Sequence, residues 1–315
     1  MARVKRPQET EEHSGGVVDK LQHVDAILTG DIHLRDDTPV CRTDNYWEAQ
    51  SNKIAFIRSL QEKYNCPILD SGDLFGKSKP SPYLLGWAIR NLPYKFYSIP
   101  GNHDLPEHSL SNIDKSGFGV LKAANVVEDI TGSGVLGDLS ILGIPWGEKL
   151  EFDKGVFYDV AVIHTMTFLL TAPWPGCTDP SAEELLDAVP ASLILTGHNH
   201  TPFVVKRGDK LLVNPGSLMR STAAQAEHRP RVYLYNQKLG VVCPVYLPID
   251  QGVVSREHID STKGKEERLD LFVSRLHGGD DIGLNFKINV EQYISENRIR
   301  KRVRTIIEKE LADAT

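Results

Sequence analysis

Five short apolar runs in this chain each end on a cluster of glycine, aspartate, asparagine or histidine. Val24–Thr29 runs into Gly30-Asp31-Ile32-His33, and Ile68-Leu69 into Ser71-Gly72-Asp73. Phe96–Ile99 is followed by Pro100-Gly101-Asn102-His103-Asp104. Asp159–Ile163 ends at His164, and Leu193–Thr196 at Gly197-His198-Asn199-His200. Apolar runs of this length, bounded by turn residues, read as buried strands. Stretches of helical spacing lie between several of them: Trp47–Tyr64, in which Trp47, Ile54, Ile57 and Leu60 share a face, then Tyr83–Asn91 and Glu183–Val189. Repeated strand, helix, strand order calls for an α/β sheet, and such sheets carry their chemistry at strand ends.

Each cluster has a plain structural alternative. Asp31 after a glycine caps a turn, His164 ends a strand as a packed core residue, and Asn-His-Asp forms a hydrogen-bonded loop. Their occurrence at five strand ends in one chain is what points to a site. If the strands lie side by side, the clusters converge on one rim of a sheet. Asp-x-His and His-x-His then aim alternate side chains at a shared centre, as extended backbone does. Asp104 stands next to His103, where its carboxylate could orient the imidazole. Alternation from Asp73 does not bring Asp70 to the same face, whereas His108 follows the third cluster closely enough to reach a substrate. His23, His228, His258 and His277 read as surface or packing residues.

The donors Asp31, His33, Asp73, Asn102, His164, His198 and His200 mix carboxylate, amide and imidazole, with no thiolate. That set suits Mn²⁺, Fe²⁺, Zn²⁺, Co²⁺ or Ni²⁺ better than a thiolate zinc site or an all-oxygen calcium site. Seven donors exceed the needs of one ion and suffice for two if one carboxylate bridges. Two ions roughly 3.5–4 Å apart can clamp a phosphoryl group and activate a bridging hydroxide for in-line attack.

Elsewhere, Val126-Val127 and Leu139–Ile144 read as strands, residues 172–181 as a proline-rich loop, and Phe203–Val213 and Arg231–Leu247 as two hairpins making a mixed or antiparallel edge. Strand signal stops near residue 250. Helical spacing returns at Glu266–His277 and at Glu291–Leu311, whose polar face holds Arg298, Arg300, Lys301, Arg302 and Arg304. The organisation expected is a flexible leader over residues 1–20, a catalytic domain over 21–249 and a helical appendage over 250–315. With 36 Lys+Arg against 42 Asp+Glu the net charge is −6, which argues against binding dominated by nonspecific phosphate contact. Cys41, Cys66, Cys177 and Cys243 are widely spaced, as free thiols in a reducing compartment would be. The charged start and the lack of a long apolar run lead us to expect a cytoplasmic protein with no membrane partner.

The ordered blocks Asp-x-His, Gly-Asp, Gly-Asn-His-Asp, His and Gly-His-x-His, with Asn214-Pro215-Gly216-Ser217 beyond them, resemble the calcineurin-like metallophosphoesterases. The resemblance covers Gly30 to His200 and extends through Ser217. It implies a four-layer αββα sandwich of two mixed sheets flanked by helices, here with a small C-terminal helical appendage, and a dinuclear divalent metal centre, with Mn²⁺ the first choice. One metal would take Asp31, His33, Asp73 and His200, and the other Asp73, Asn102, His164 and His198. His103 would contact the phosphate and protonate the leaving oxygen, with Asp104 holding its ring.

Within that superfamily the motifs resemble the SbcD-type DNA repair nucleases in style, notably Asp31-Ile32-His33-Leu34 and Gly72-Asp73-Leu74-Phe75. Those nucleases often carry a His after the Asp-Leu-Phe run, where this chain has Gly76. The departure bears on exonuclease action more than on phosphodiesterase chemistry. The expected activity is hydrolysis of phosphodiesters, with DNA as the first substrate class and the C-terminal basic helix as a contact for phosphates, a protein partner or a second copy. The alternatives are a hydrolase of a small phosphodiester or phosphomonoester such as a cyclic nucleotide, and a metal-binding scaffold without catalysis.

Overall fold

The structure, a computed structural model, describes residues 21, 23–152, 155–257, 290, 293–295, 297 and 299–313. The expected leader, the 266–277 helix, His258, His277 and Arg298 lie outside the described residues. The chain divides into two units after Arg256.

The first unit is built on two six-stranded mixed sheets. One has the order β12-β11-β1-β2-β3-β4, from strands Ala26–Thr29 (β1), Ile68–Asp70 (β2), Phe96–Ser98 (β3), Val127–Asp129 (β4), Arg231–Asn236 (β11) and Val241–Tyr246 (β12). The other has the order β5-β6-β7-β8-β10-β9, from Gly132–Leu136 (β5), Leu139–Ile144 (β6), Tyr158–His164 (β7), Ala191–Gly197 (β8), Phe203–Arg207 (β9) and Lys210–Asn214 (β10). β1 to β4 pair in parallel, as do β6, β7, β8 and β10. The hairpins β11–β12 and β9–β10 close the antiparallel edges of different sheets.

Strand alternation explains the layering. Ala26 and Leu28 of β1 join Leu69, Val160, Val162, Leu193 and Leu195 in an apolar layer between the sheets. Ile27, one residue away, faces the opposite side with Ile68 and Phe96. That outer face is covered by helices Tyr46–Tyr64 (α1), Pro82–Asn91 (α2) and Gly117–Ala123 (α3), through Ile54, Ile57, Leu84, Ala88, Phe118 and Leu121. The outer face of the second sheet is covered by Ala182–Ala188 (α4), through Leu185 and Leu186. Each of the leucine, isoleucine and phenylalanine side chains contributes about 1.5–3 kcal/mol when fully withdrawn from water.

The ends of α1 are set by local chemistry. The Asn45 side chain accepts from the Glu48 N–H, and Asn65 terminates the helix in the left-handed region before Pro67. Two glycines hide α3 from a sequence reading, and the exposed Gly-Ser-Gly of β5 gives no strand signal. Past residue 250 the backbone of Val253 and Ser255 still bonds to Thr43 and Cys41. In the second unit the continuous helix expected over Glu291–Leu311 is interrupted. Ile299 and Arg300 are not helical, and the helix proper is Lys301–Asp313 (α5). Among the described residues no helix is long and apolar enough to cross a membrane, and the four cysteines are free thiols.

Candidate metal centre

The clusters do converge, but on two sheets rather than on one rim. The ends of β1, β2 and β3 bring Asp31, His33, Asp73 and Asn102 from the first sheet. The ends of β7 and β8 bring His164, His198 and His200 from the second. A direct bond crosses between them: the His198 N–H donates to Asp31 Oδ1 at 3.0 Å.

Nor does extended alternation aim the pairs. Asp31, His33, Asp73 and His198 all have positive φ, at 48°, 50°, 58° and 74°. Each such non-glycine residue costs about 1–3 kcal/mol, and residues of this kind gather at functional sites. The two loops hold each other in place, because His33 N–H donates to the Asp73 carbonyl and Asp31 N–H to that of Gly72. Gly101 is required by close approach, since a Cβ there would sit 2.2 Å from Asp73 Oδ1.

The donor atoms form two groups that share one oxygen. Asp31, His33 and His200 offer ligand atoms all within 4.8 Å of one another, and so do Asp73, His164 and His198. Asp73 Oδ2 lies 3.7 Å from His33 Nε2 and 3.5 Å from His164 Nε2, so it faces both groups. Asn102 Oδ1 completes the second group, 3.2 Å from His164 Nε2 and 2.8 Å from His198 Nδ1. His33 and His200 point their Nε2 atoms at each other across 3.0 Å. His103, His33 and Asp73 make a third close cluster of possible donors.

The electrostatics fit cations. Asp31, Asp73 and Asp104 are buried together with Asp70, and Asp31 Oδ2 has no hydrogen-bond partner. Burial, reinforced by the Asp73 carboxylate against the pull of His164, pushes the Asp31 carboxyl up to about 7. Burial lowers His33 to about 3 and His198 to about 4. Both imidazoles are therefore neutral, with lone pairs to offer. Burial opposes charge on Asp73 and on His164, but their mutual attraction wins. It holds Asp73 well below the usual carboxylate range and raises His164 to about 9. Two divalent ions would relieve the buried carboxylates and take up the converging lone pairs.

Backbone carbonyls orient the rings. His164 Nδ1 donates to Ser71 O at 2.6 Å, which leaves Nε2 for the centre. His103 Nδ1 donates to Gly76 O at 3.0 Å, and its ring stands edge-on to His33. Asp104 does not hold that ring. Its carboxylate accepts from the N–H groups of Leu74, Phe75 and Gly101, and so braces the Asp73 loop against the Asn102 loop. The cause is simple: a buried carboxylate is satisfied by three amides that the turn brings to it, while the His103 ring is exposed. His108 donates to the Asn102 carbonyl at 3.2 Å. Asp70 is fully buried, accepts from Ser98 and Gly72, and is not among the close donor clusters.

Two features had no sequence signal. Trp146 lies against the His198 ring with centroids 4.7 Å apart. An open cleft of ≈ 530 Å³ runs from His200 past Gln225 and His228 to Arg229 and Arg231, whose guanidinium groups lie over the Tyr246 ring.

Residues 25–202 match the family described as Calcineurin-like phosphoesterase. The chain belongs to this family. That places it among hydrolases acting on phosphoester bonds. It is 24% identical over 276 residues to the double-strand break repair protein MRE11 of Encephalitozoon cuniculi (strain GB-M1), a match covering 69% of this chain and 46% of that protein. The chain thus spans about half the length of this curated relative. Among solved structures, a novel archaeal phosphodiesterase aligns with TM-score 0.40 and 12% identity, covering 70% of this chain and 99% of the other. A metallophosphoesterase from Sphaerobacter thermophilus aligns with TM-score 0.37 and 12% identity, covering 71% and 89%.

Proposed function

We propose that the protein is a dinuclear metal-dependent phosphodiesterase of nuclease type, acting on DNA. The observation that carries the metal reading is Asp73 Oδ2, which stands between two donor groups at 3.7 and 3.5 Å. Asp31, His33 and His200 with Asp73 would hold one ion, and Asp73, Asn102, His164 and His198 the other, with Mn²⁺ the first candidate. Bound there, the ions would supply an activated water and neutralise the phosphate oxygens.

The remaining chemistry falls to the chain. His103 donates from Nδ1 to Gly76 O, so a second proton taken up by its ring sits on Nε2. Its exposed ring beside His33 is the group we assign to contact the phosphate and protonate the leaving oxygen. Asp104 acts as a positioning residue through the backbone it braces.

The cleft beside His200 favours a polymer over a small diester. It is open and is lined by His200 together with Arg229 and Arg231, which supports assigning those two arginines to a neighbouring phosphate of a strand. The name of the MRE11 relative, a double-strand break repair protein, points the same way. We place the action in the cytoplasm, in keeping with four free thiols. We further assign the exposed basic residues Lys301, Arg302 and Arg304 of α5 to phosphate contact.

The test compares labelled single- and double-stranded DNA with 2′,3′- and 3′,5′-cyclic nucleotides in the presence of Mn²⁺. Cleaved DNA with intact cyclic nucleotides is expected. The reverse pattern would replace this reading with a small-substrate hydrolase, and no turnover of either would leave a metal-binding scaffold.

A further inference from the structure

Lysine is almost never fully buried unless it is paired. Lys53 of α1 is 2% exposed and has no hydrogen-bond or ion-pair partner among the described residues. It lines a half-open pocket of ≈ 90 Å³ together with Arg42, Asn52, Arg220, Pro248 and Asp250, of which Asn52, Pro248 and Asp250 are exposed. The cavity lies apart from the donor clusters of the metal centre and belongs to none of its chemistry.

Arg220 is 3% exposed. It donates to the carbonyls of Ala226 and Asp250, but its Nε is buried without a partner. Arg42 is 8% exposed, donates to the Arg220 carbonyl and pairs with Asp44 through two nitrogens. Three cations thus surround the space, and Asp44 is committed to one of them. Asp250 lines the same space from an exposed position, and its charge, with that of Asp44, acts on both Lys53 and Arg220. Burial, followed by the repulsion of Arg42 and Arg220, lowers Lys53 to about 8, which leaves it mostly charged at neutral pH.

Water would satisfy the free donors but not the charge. Arg220 Nε is buried without a partner, and three cationic side chains around one space favour an anion over water alone. A cavity of this size has room for several water molecules or one small oxyanion. We propose that this cavity is a binding site for a tetrahedral oxyanion of the phosphate class, taken up between Lys53 Nζ and Arg220 Nε with Arg42 behind them. Occupancy reaches the metal centre through the chain. Arg220 ends the segment in which Ser217 N–H donates to the His200 carbonyl and Leu218 N–H to that of Asp31. The anion stiffens that segment.

Thermal unfolding of the full metal-loaded chain, followed against inorganic phosphate at constant ionic strength with chloride as the control, tests the proposal. Wild type is expected to rise by about 3 °C or more at saturating phosphate. Lys53→Met is expected to start above wild type without phosphate and to lose most of that rise. Phosphate bound directly at the metal centre is common to both proteins and drops out of the difference. An equal rise in both overturns the proposal, whatever the substrate proves to be. If Lys53→Met does not fold, wild-type crystals soaked in tungstate decide: an anomalous peak within hydrogen-bond distance of Lys53 Nζ supports the site, and none there overturns it.

Discussion

The metal centre and the Lys53 cavity are two buried charge clusters of opposite sign, both in the first unit. At the centre, Asp31 and Asp73 sit with Asp70 and Asp104 near them, and their surplus is negative. At the cavity, Arg42, Lys53 and Arg220 stand with the two carboxylates Asp44 and Asp250, and cations are the majority. Each cluster leaves polar atoms orphaned, Asp31 Oδ2 and Asp70 Oδ1 in the first and Arg220 Nε in the second. A fold tolerates such atoms where a ligand completes the charge balance. The difference lies in the backbone. The centre is fixed by left-handed residues and by carbonyls that aim each ring, whereas the cavity is lined by long flexible side chains from a helix and two loops. The centre should therefore be intolerant of small displacements, and the cavity more tolerant of conservative change.

Asp73→Ala should have the largest effect. It removes the oxygen common to both donor groups, and metal analysis after dialysis should find neither ion retained and no turnover of bis-p-nitrophenyl phosphate. His103→Ala should come next, with turnover lower by about 10²–10⁴-fold while metal content stays at the wild-type level. Full activity in that variant would remove His103 from the chemistry. Gly101→Ala places a Cβ 2.2 Å from Asp73 Oδ1. Its expected result is a loss of metal affinity of about 10–100-fold, read by titration with a competing chelator. Unchanged affinity would show that the approach of this glycine to Asp73 is not required.

The smallest effect concerns Asp70. Burial raises its carboxyl to about 8, against 3.8 for an ordinary aspartate. A raised folded-state value means that the folded chain holds this proton more tightly than the unfolded one. The contribution to stability is therefore complete below about pH 4 and is lost as pH rises through about 8. Asp70→Asn cannot ionise, so its melting temperature relative to wild type should climb between pH 4 and 8. A constant offset across that range would contradict the assignment.

These contrasts also show what a sequence can convey. The strands bearing Asp31, Asp73, Asn102, His164 and His198 were legible because each is a short apolar run that stops on polar residues. β5 was not, because Gly132, Ser133 and Gly134 are exposed and carry no alternation. The donor types were legible too, but not the means of aiming them. Extended alternation was the simplest geometry for Asp31-Ile32-His33, yet the backbone there turns left-handed. Sequence adjacency pairs Asp104 with the His103 ring, because side chains are what a sequence displays. The partners it has are amides of Leu74, Phe75 and Gly101, and the His103 ring rests on the Gly76 carbonyl. Peptide groups leave no residue-type signature. The Lys53 cavity was hidden for a related reason, since a lysine in an amphipathic helix looks solvated until the packing around it is known.

The central claim is that one aspartate joins two ions. Manganese content per chain combined with electron paramagnetic resonance of the Mn²⁺-loaded protein tests it most directly. The account predicts two ions per chain with a spin-coupled signal, abolished in Asp73→Ala. One ion per chain, or two with independent signals, would contradict it.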